Sequence, residues 1–134
     1  MSTAYWCILV AALLPYAWIV IAKRGGTRYN NRDPRVWLAK QDAPLVQRAN
    51  AAHLNAFEAF APFAASVLMA QLAGVPASLV NLLALLFVGF RVLHGICYLA
   101  AWHWLRSLAW LGGYACVLWL MVRAALAIGH GLPA

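Results

Sequence analysis

The chain has 134 residues, 66% hydrophobic and only 10% charged, where an average soluble domain carries roughly 25% charged residues. A domain this short buries only about two-thirds of its unfolded surface in water, so this excess of Leu, Ala, Val and Trp excludes a water-soluble globule and makes lipid the natural solvent. The formal net charge of +7 points away from nucleic acid, because seven of the ten basic residues (Lys23, Arg24, Arg28, Arg32, Arg35, Lys40 and Arg48) crowd one segment between apolar stretches. That is the pattern of a cytoplasmic loop.

Residues 4–22 form an uninterrupted apolar and aromatic run, close to the roughly 20 residues that cross a hydrocarbon core. The run is read as the first transmembrane helix, with Pro15 a kink point. Its charges follow it at Lys23 and Arg24 and none precede it, the wrong polarity for a cleaved signal peptide. Residues 23–44 hold Gly25-Gly26, Asn30-Asn31, Asp33-Pro34 and most of the charge, and read as a basic cytoplasmic loop with a short helix over 34–40.

A second helix is expected over 45–73, polar in its first half and closed by Gly74-Val75-Pro76. A third covers 77–101 and a fourth 106–128, where Gly112-Gly113 offers a close-packing surface. The fold class is thus an all-α membrane protein, one four-transmembrane-helix bundle over residues 1–134. Four crossings put both termini on the non-cytoplasmic side. Cys7, Cys97 and Cys116 lie inside apolar stretches and read as small hydrophobes, and no metal site is expected.

Charged and polar residues inside the membrane are costly and usually face a partner or a cavity. Arg48, Asn55, Glu58 and Pro62 share one sector of the second helix, from which His53 points away. On the third helix Arg91, His94 and Tyr98 follow at spacings of three and four and share a face. Glu58, the one acid within the membrane stretches, is expected to pair with Arg91. Alternatively the two polar faces meet in a cavity open to the cytoplasm, where Arg48, Asn55, Tyr98 and Arg106 would take an anionic ligand. A haem between His53 and His94 is disfavoured because their depths do not match. The seven tryptophans read as residues of membrane ends or lipid-facing surface.

The segment Arg48-Ala-Asn-Ala-Ala-His-Leu-Asn55-Ala-Phe-Glu58-Ala-Phe-Ala-Pro62-Phe resembles the helix-two signature of the MAPEG family, the membrane-associated proteins in eicosanoid and glutathione metabolism. Arg91-Val-Leu-His94-Gly-Ile-Cys-Tyr98, followed by Arg106-Ser107, is similar to the pattern of its microsomal prostaglandin E synthase branch. Asn31-Arg32-Asp33-Pro34-Arg35 resembles the loop of uncharacterised bacterial members, which implies a bacterial inner membrane. The resemblance covers nearly the whole chain.

It implies a homotrimer with glutathione, as cosubstrate, bound between subunits and open to the cytoplasm. It also implies that Arg106 stabilises the glutathione thiolate, that Ser107 acts on the thiol, and that Asn55, Glu58, Arg91, His94 and Tyr98 bind or orient the tripeptide. The implied activity is that of a glutathione-dependent transferase or peroxidase acting on a hydrophobic electrophile or lipid hydroperoxide. Ala51 and Leu54 stand where family enzymes can carry an arginine, and Ala59 where one branch has tyrosine. Arg24 or Arg48 would have to compensate. A non-catalytic lipid-binding or scaffold protein of the same fold is the alternative, and a small exporter using Glu58 as proton carrier is a third reading.

Overall fold

The structure, a computed structural model, describes residues 2–129. Of the domain read over 1–134, positions 1 and 130–134 lie outside the described residues. The first apolar run forms α1 (Ser2–Gly25), which the paired glycines Gly25 and Gly26 end. Pro34 and Pro44 start α2 (Pro34–Ala39) and α3 (Pro44–Leu72), each at the opening turn where a missing N–H is harmless. α4 spans Ala77–Leu99 and α5 spans His103–Gly129.

α3 ends in a left-handed cap. Gly74 has φ 72°, and the Val75 and Gly74 amides donate to the Ala70 and Gln71 carbonyls at 2.9 and 3.0 Å. α4 ends the same way without the glycine: Ala101 has φ 60°, and the Trp102 and Ala101 amides donate to the Cys97 and Tyr98 carbonyls at 2.9 and 3.2 Å. A left-handed alanine costs roughly 1 kcal/mol, so Ala101→Gly is expected to raise stability by about that amount, read as an upward shift of the thermal midpoint in detergent.

α1 and α5 lie on opposite sides of a central α3–α4 pair, each packed against both. The contacts set the directions. The Ala4 amide donates to Asn81 Oδ1 at 3.1 Å, and Tyr5 meets Gln71, so the start of α1 sits beside the α3–α4 turn. The start of α5 follows the α4 turn, and Arg123 near its end lines a cleft with Gly74 and Pro76. Both described chain ends therefore lie at the end of the molecule opposite the basic loop.

Between helices in lipid there is no hydrophobic drive, so close contact of small residues has to hold them together. Ala4, Ala11, Ala22, Ala49, Ala52, Ala56, Ala70, Ala84, Ala109 and Ala124 are all buried, while Leu72, Leu108, Leu111, Trp104 and Trp119 are exposed. That inversion of the water-soluble pattern is what a lipid solvent produces. The larger core side chains concentrate near mid-length, where Phe63 and Phe87 stack with centroids 3.9 Å apart. Trp18 is buried rather than lipid-facing, because its indole lies flat on α4 over Gly95, where any Cβ would overlap the ring. Trp37 is buried as well.

α1, α4 and α5 are each long and apolar enough to cross a membrane. The chain is an integral membrane protein. α3, the longest helix, does not meet that measure, because Gln47, Arg48, Asn50, His53, Asn55 and Glu58 occupy its first half. A helix packed on three neighbours can carry such residues by turning them inward.

Candidate functional site

Three helices each turn one polar or aromatic stripe toward a common groove. Asn55, Glu58 and Pro62 follow at helical spacing on α3, Arg91, His94 and Tyr98 on α4, and Arg106, Trp110 and Tyr114 on α5. The groove has two adjoining parts. The outer part, about 180 Å³, is lined by Asn55, His94, Tyr98, Arg106, Ser107 and Trp110. The inner part, about 170 Å³, shares Asn55 and Trp110 and continues past Glu58 and Arg91 to an apolar end at Pro62, Phe87 and Val117.

The expected Glu58–Arg91 ion pair does not form. Arg91 Nη2 donates to Asn55 Oδ1 at 2.7 Å, and Asn55 Nδ2 reaches Glu58 Oε2 at 3.4 Å, so the amide stands between the two charges. Glu58 is exposed, whereas Arg91 is only 4% exposed. An uncharged group that accepts from one side and donates to the other leaves the carboxylate without a charged partner among the described residues. Pro62 has no N–H for the Glu58 carbonyl, so a backbone acceptor at the same position lacks its usual helical donor.

At the outer end the groups are held by rings. The guanidinium of Arg106 lies 4.5 Å from the Tyr98 ring centre, and the edge of His94 meets the same ring at 5.1 Å. Ser107 Oγ donates to the His103 carbonyl at 3.1 Å, a local bond within the first turns of α5. His94 Nδ1 and Arg91 Nε are buried and have no hydrogen-bond partner among the described residues. Buried polar atoms are nearly always satisfied, so two orphans in one groove mark a place for a polar ligand.

Of the nine residues singled out in the sequence, seven line this groove: Asn55, Glu58, Arg91, His94, Tyr98, Arg106 and Ser107. Arg24 and Arg48 do not. Arg24 is exposed at the end of α1, and Arg48 is half-buried on α3 with its Nε unpartnered among the described residues. Trp110 and Tyr114, stacked at 5.2 Å, belong to the groove and were missed. Their spacing of four and eight from Arg106 was the available signal.

A separate cleft of about 490 Å³ opens between α1, α2 and α3, with Tyr16, Ile19 and Leu54 below and Lys23, Arg35 and Asn50 at its rim. His53 lies here, its Nδ1 2.8 Å from the Pro15 carbonyl and its ring against Phe57 at 5.0 Å. That bond ties α1 to α3.

No curated protein and no solved structure matches this chain. A family model described as MAPEG family matches residues 3–126, which include every helix that lines the groove. The chain therefore belongs to the MAPEG family, membrane proteins related to glutathione and eicosanoid metabolism.

Proposed function

We propose that the protein is a glutathione-dependent membrane transferase or peroxidase acting on hydrophobic electrophiles or lipid hydroperoxides. The observation that carries this reading is the convergence of Asn55, Glu58, Arg91, His94, Tyr98, Arg106 and Ser107, from three helices, on one groove. Glutathione carries two carboxylates, an ammonium group and a thiol. Exposed Glu58 suits the ammonium, the unpartnered Arg91 Nε and His94 Nδ1 suit polar atoms of the tripeptide, and Arg106 suits the thiolate. A free thiol ionises near pH 8.5, and an adjacent guanidinium shifts the balance toward the nucleophilic thiolate. Glutathione supplies that nucleophile. Trp110, Tyr114 and Val117 offer an apolar wall for a substrate arriving from the bilayer.

The two adjoining parts together lie at the low end of the roughly 300–1,000 Å³ of an ordinary ligand pocket, which supports a site completed by a second subunit. The α1–α3 cleft and the α3–α5 groove lie on different faces. A contact that joins unlike faces repeats head to tail, and closes into a ring when its rotation is a whole fraction of a turn. In the proposed homotrimer Lys23, Arg35 and Arg24 of one subunit approach the groove of the next, the basic loop is cytoplasmic, and α3 is the fourth crossing.

Purified protein in detergent, titrated with glutathione while thiolate absorbance is followed, tests the reading: a saturable thiolate signal supports it, and no binding at millimolar glutathione sinks it. Leu54 lines the cleft as an exposed apolar side chain where family enzymes can carry an arginine. Leu54→Arg is therefore expected to tighten glutathione binding by roughly tenfold, the worth of one charge-assisted hydrogen bond. Calorimetric titration of the two proteins checks it.

A non-catalytic lipid-binding or scaffold role is the second reading, favoured by Ala51 and Leu54. It requires that Arg106→Ala leave lipid or partner binding intact and that no conjugation be measurable in the wild type.

A further inference from the structure

The loop between α1 and α3 plays no part in the α3–α5 groove, yet it is folded. Gln41, 6% exposed, accepts from the Thr27 amide at 3.0 Å and donates to the Trp37 carbonyl at 3.0 Å. Gln47 donates to the Gln41 carbonyl at 2.7 Å. The ammonium of Lys23 lies 4.3 Å from the centre of the Tyr29 ring, and Tyr29 meets Trp37 edge-on at 5.1 Å. Trp37 in turn packs with Ala22, Val46 and Ala49. A tether that only linked two spans would not need this.

The folded loop presents charge without partners. Arg24, Arg28, Arg32, Arg35 and Lys40 are all exposed, and among the described residues none forms an ion pair with Asp33 or Asp42. The charge asymmetry of membrane proteins explains why cations sit on this side, but not why one of them, Lys40, lines a cleft with polar side chains. That cleft, about 290 Å³, is lined by Thr27, Asn30, Val36, Trp37, Lys40 and Gln41. Trp37 is 6% exposed, and its indole N–H is buried with no hydrogen-bond partner among the described residues. An orphan donor in a wall shared with an ammonium and an amide side chain calls for an acceptor-rich, anionic occupant.

We infer that this cleft is a headgroup site for an anionic phospholipid of the surrounding membrane. The loop leaves α1 where its apolar stretch ends, which is the depth of the headgroup layer, so a lipid phosphate is already present there at high local concentration. Lys40 and the Trp37 N–H take the phosphate oxygens, Thr27 and Asn30 the headgroup hydroxyls, and the exposed arginines elsewhere on the loop add a salt-sensitive attraction. Exposed Val36 faces the first methylenes of the chains. This site is independent of glutathione.

The full chain, purified in a non-ionic detergent, is offered phosphatidylglycerol, phosphatidylcholine with the same acyl chains, or inorganic phosphate, and retained lipid is counted by native mass spectrometry. Phosphatidylglycerol is expected to bind about tenfold more tightly than phosphatidylcholine, and Lys40→Gln to weaken it roughly fivefold. Trp37→Phe, which keeps the ring and deletes the donor, should weaken it by a similar factor. Arg123→Gln, at the opposite end of the molecule, should leave it unchanged. Equal retention of the two lipids, an unaltered Lys40→Gln, or displacement of the lipid by millimolar inorganic phosphate would each overturn the assignment. The exposed Lys40 variant keeps the test decisive if Trp37→Phe does not fold.

Discussion

Arg106→Ala is expected to lower glutathione-dependent turnover by on the order of a hundredfold at neutral pH, the scale seen when one preorganised group is removed from a developing anion. The guanidinium is half-buried, held 4.5 Å over the Tyr98 ring, and lines the outer groove beside Ser107. A positive charge there lowers the pKa of a bound thiol, so the wild type holds thiolate at neutral pH. Without it the thiol returns toward its free value near 8.5, and the rate of the variant should climb with pH through that region. Arg106→Lys keeps a charge but loses the planar fork, and should fall between the two. The fold should tolerate both changes, since the ring contact is worth only about 0.5–1 kcal/mol. A pH–rate profile of the three proteins checks this: an Arg106→Ala profile that overlays the wild type would remove Arg106 from the chemistry.

The second large effect belongs to Asn55. Its Oδ1 is the acceptor that Arg91 uses, and Arg91 is almost wholly buried among α3, α4 and α5. Asn55→Leu strands a guanidinium in a membrane interior, and losing a buried hydrogen bond to a charged group typically costs about 1.5–3 kcal/mol. We expect a loss of roughly 2 kcal/mol, because Glu58 is the next acceptor along the helix. Replacing both residues, as Asn55→Leu with Arg91→Met, should recover much of the loss, since no charge is then left unpaired. Thermal melting of the two singles and the double gives the coupling directly. If the single substitutions simply add, the relay through Asn55 is not what holds Arg91.

What the sequence displayed and what it withheld divide along a physical line. Composition disclosed the membrane, and the motifs disclosed the family, because both depend on which residues are present and at what spacing. The stripe Arg91, His94, Tyr98 could be read from intervals of three and four, since those intervals are fixed by the helix itself. The rotation of one helix against another is not fixed that way. A direct Glu58–Arg91 pair was therefore expected where Asn55 actually intervenes, and Trp110 was grouped with the membrane-end and lipid-facing tryptophans and Tyr114 passed over, although their face of α5 turns toward α3. Trp18 misled for the same reason: only the absence of a side chain at Gly95, far away in sequence, lets the indole lie inside. α3 shows the limit of hydropathy, being too polar to stand out as a span yet central to the packing.

The proposed function rests on where a thiol sits. A density map of the protein in lipid nanodiscs with glutathione added decides it. The expected result is a trimer with the tripeptide lying between subunits, its sulfur beside the Arg106 guanidinium and its ammonium group at Glu58. An α3–α5 groove that stays empty at saturating glutathione, or a tripeptide bound with its sulfur away from Arg106, would contradict the proposal.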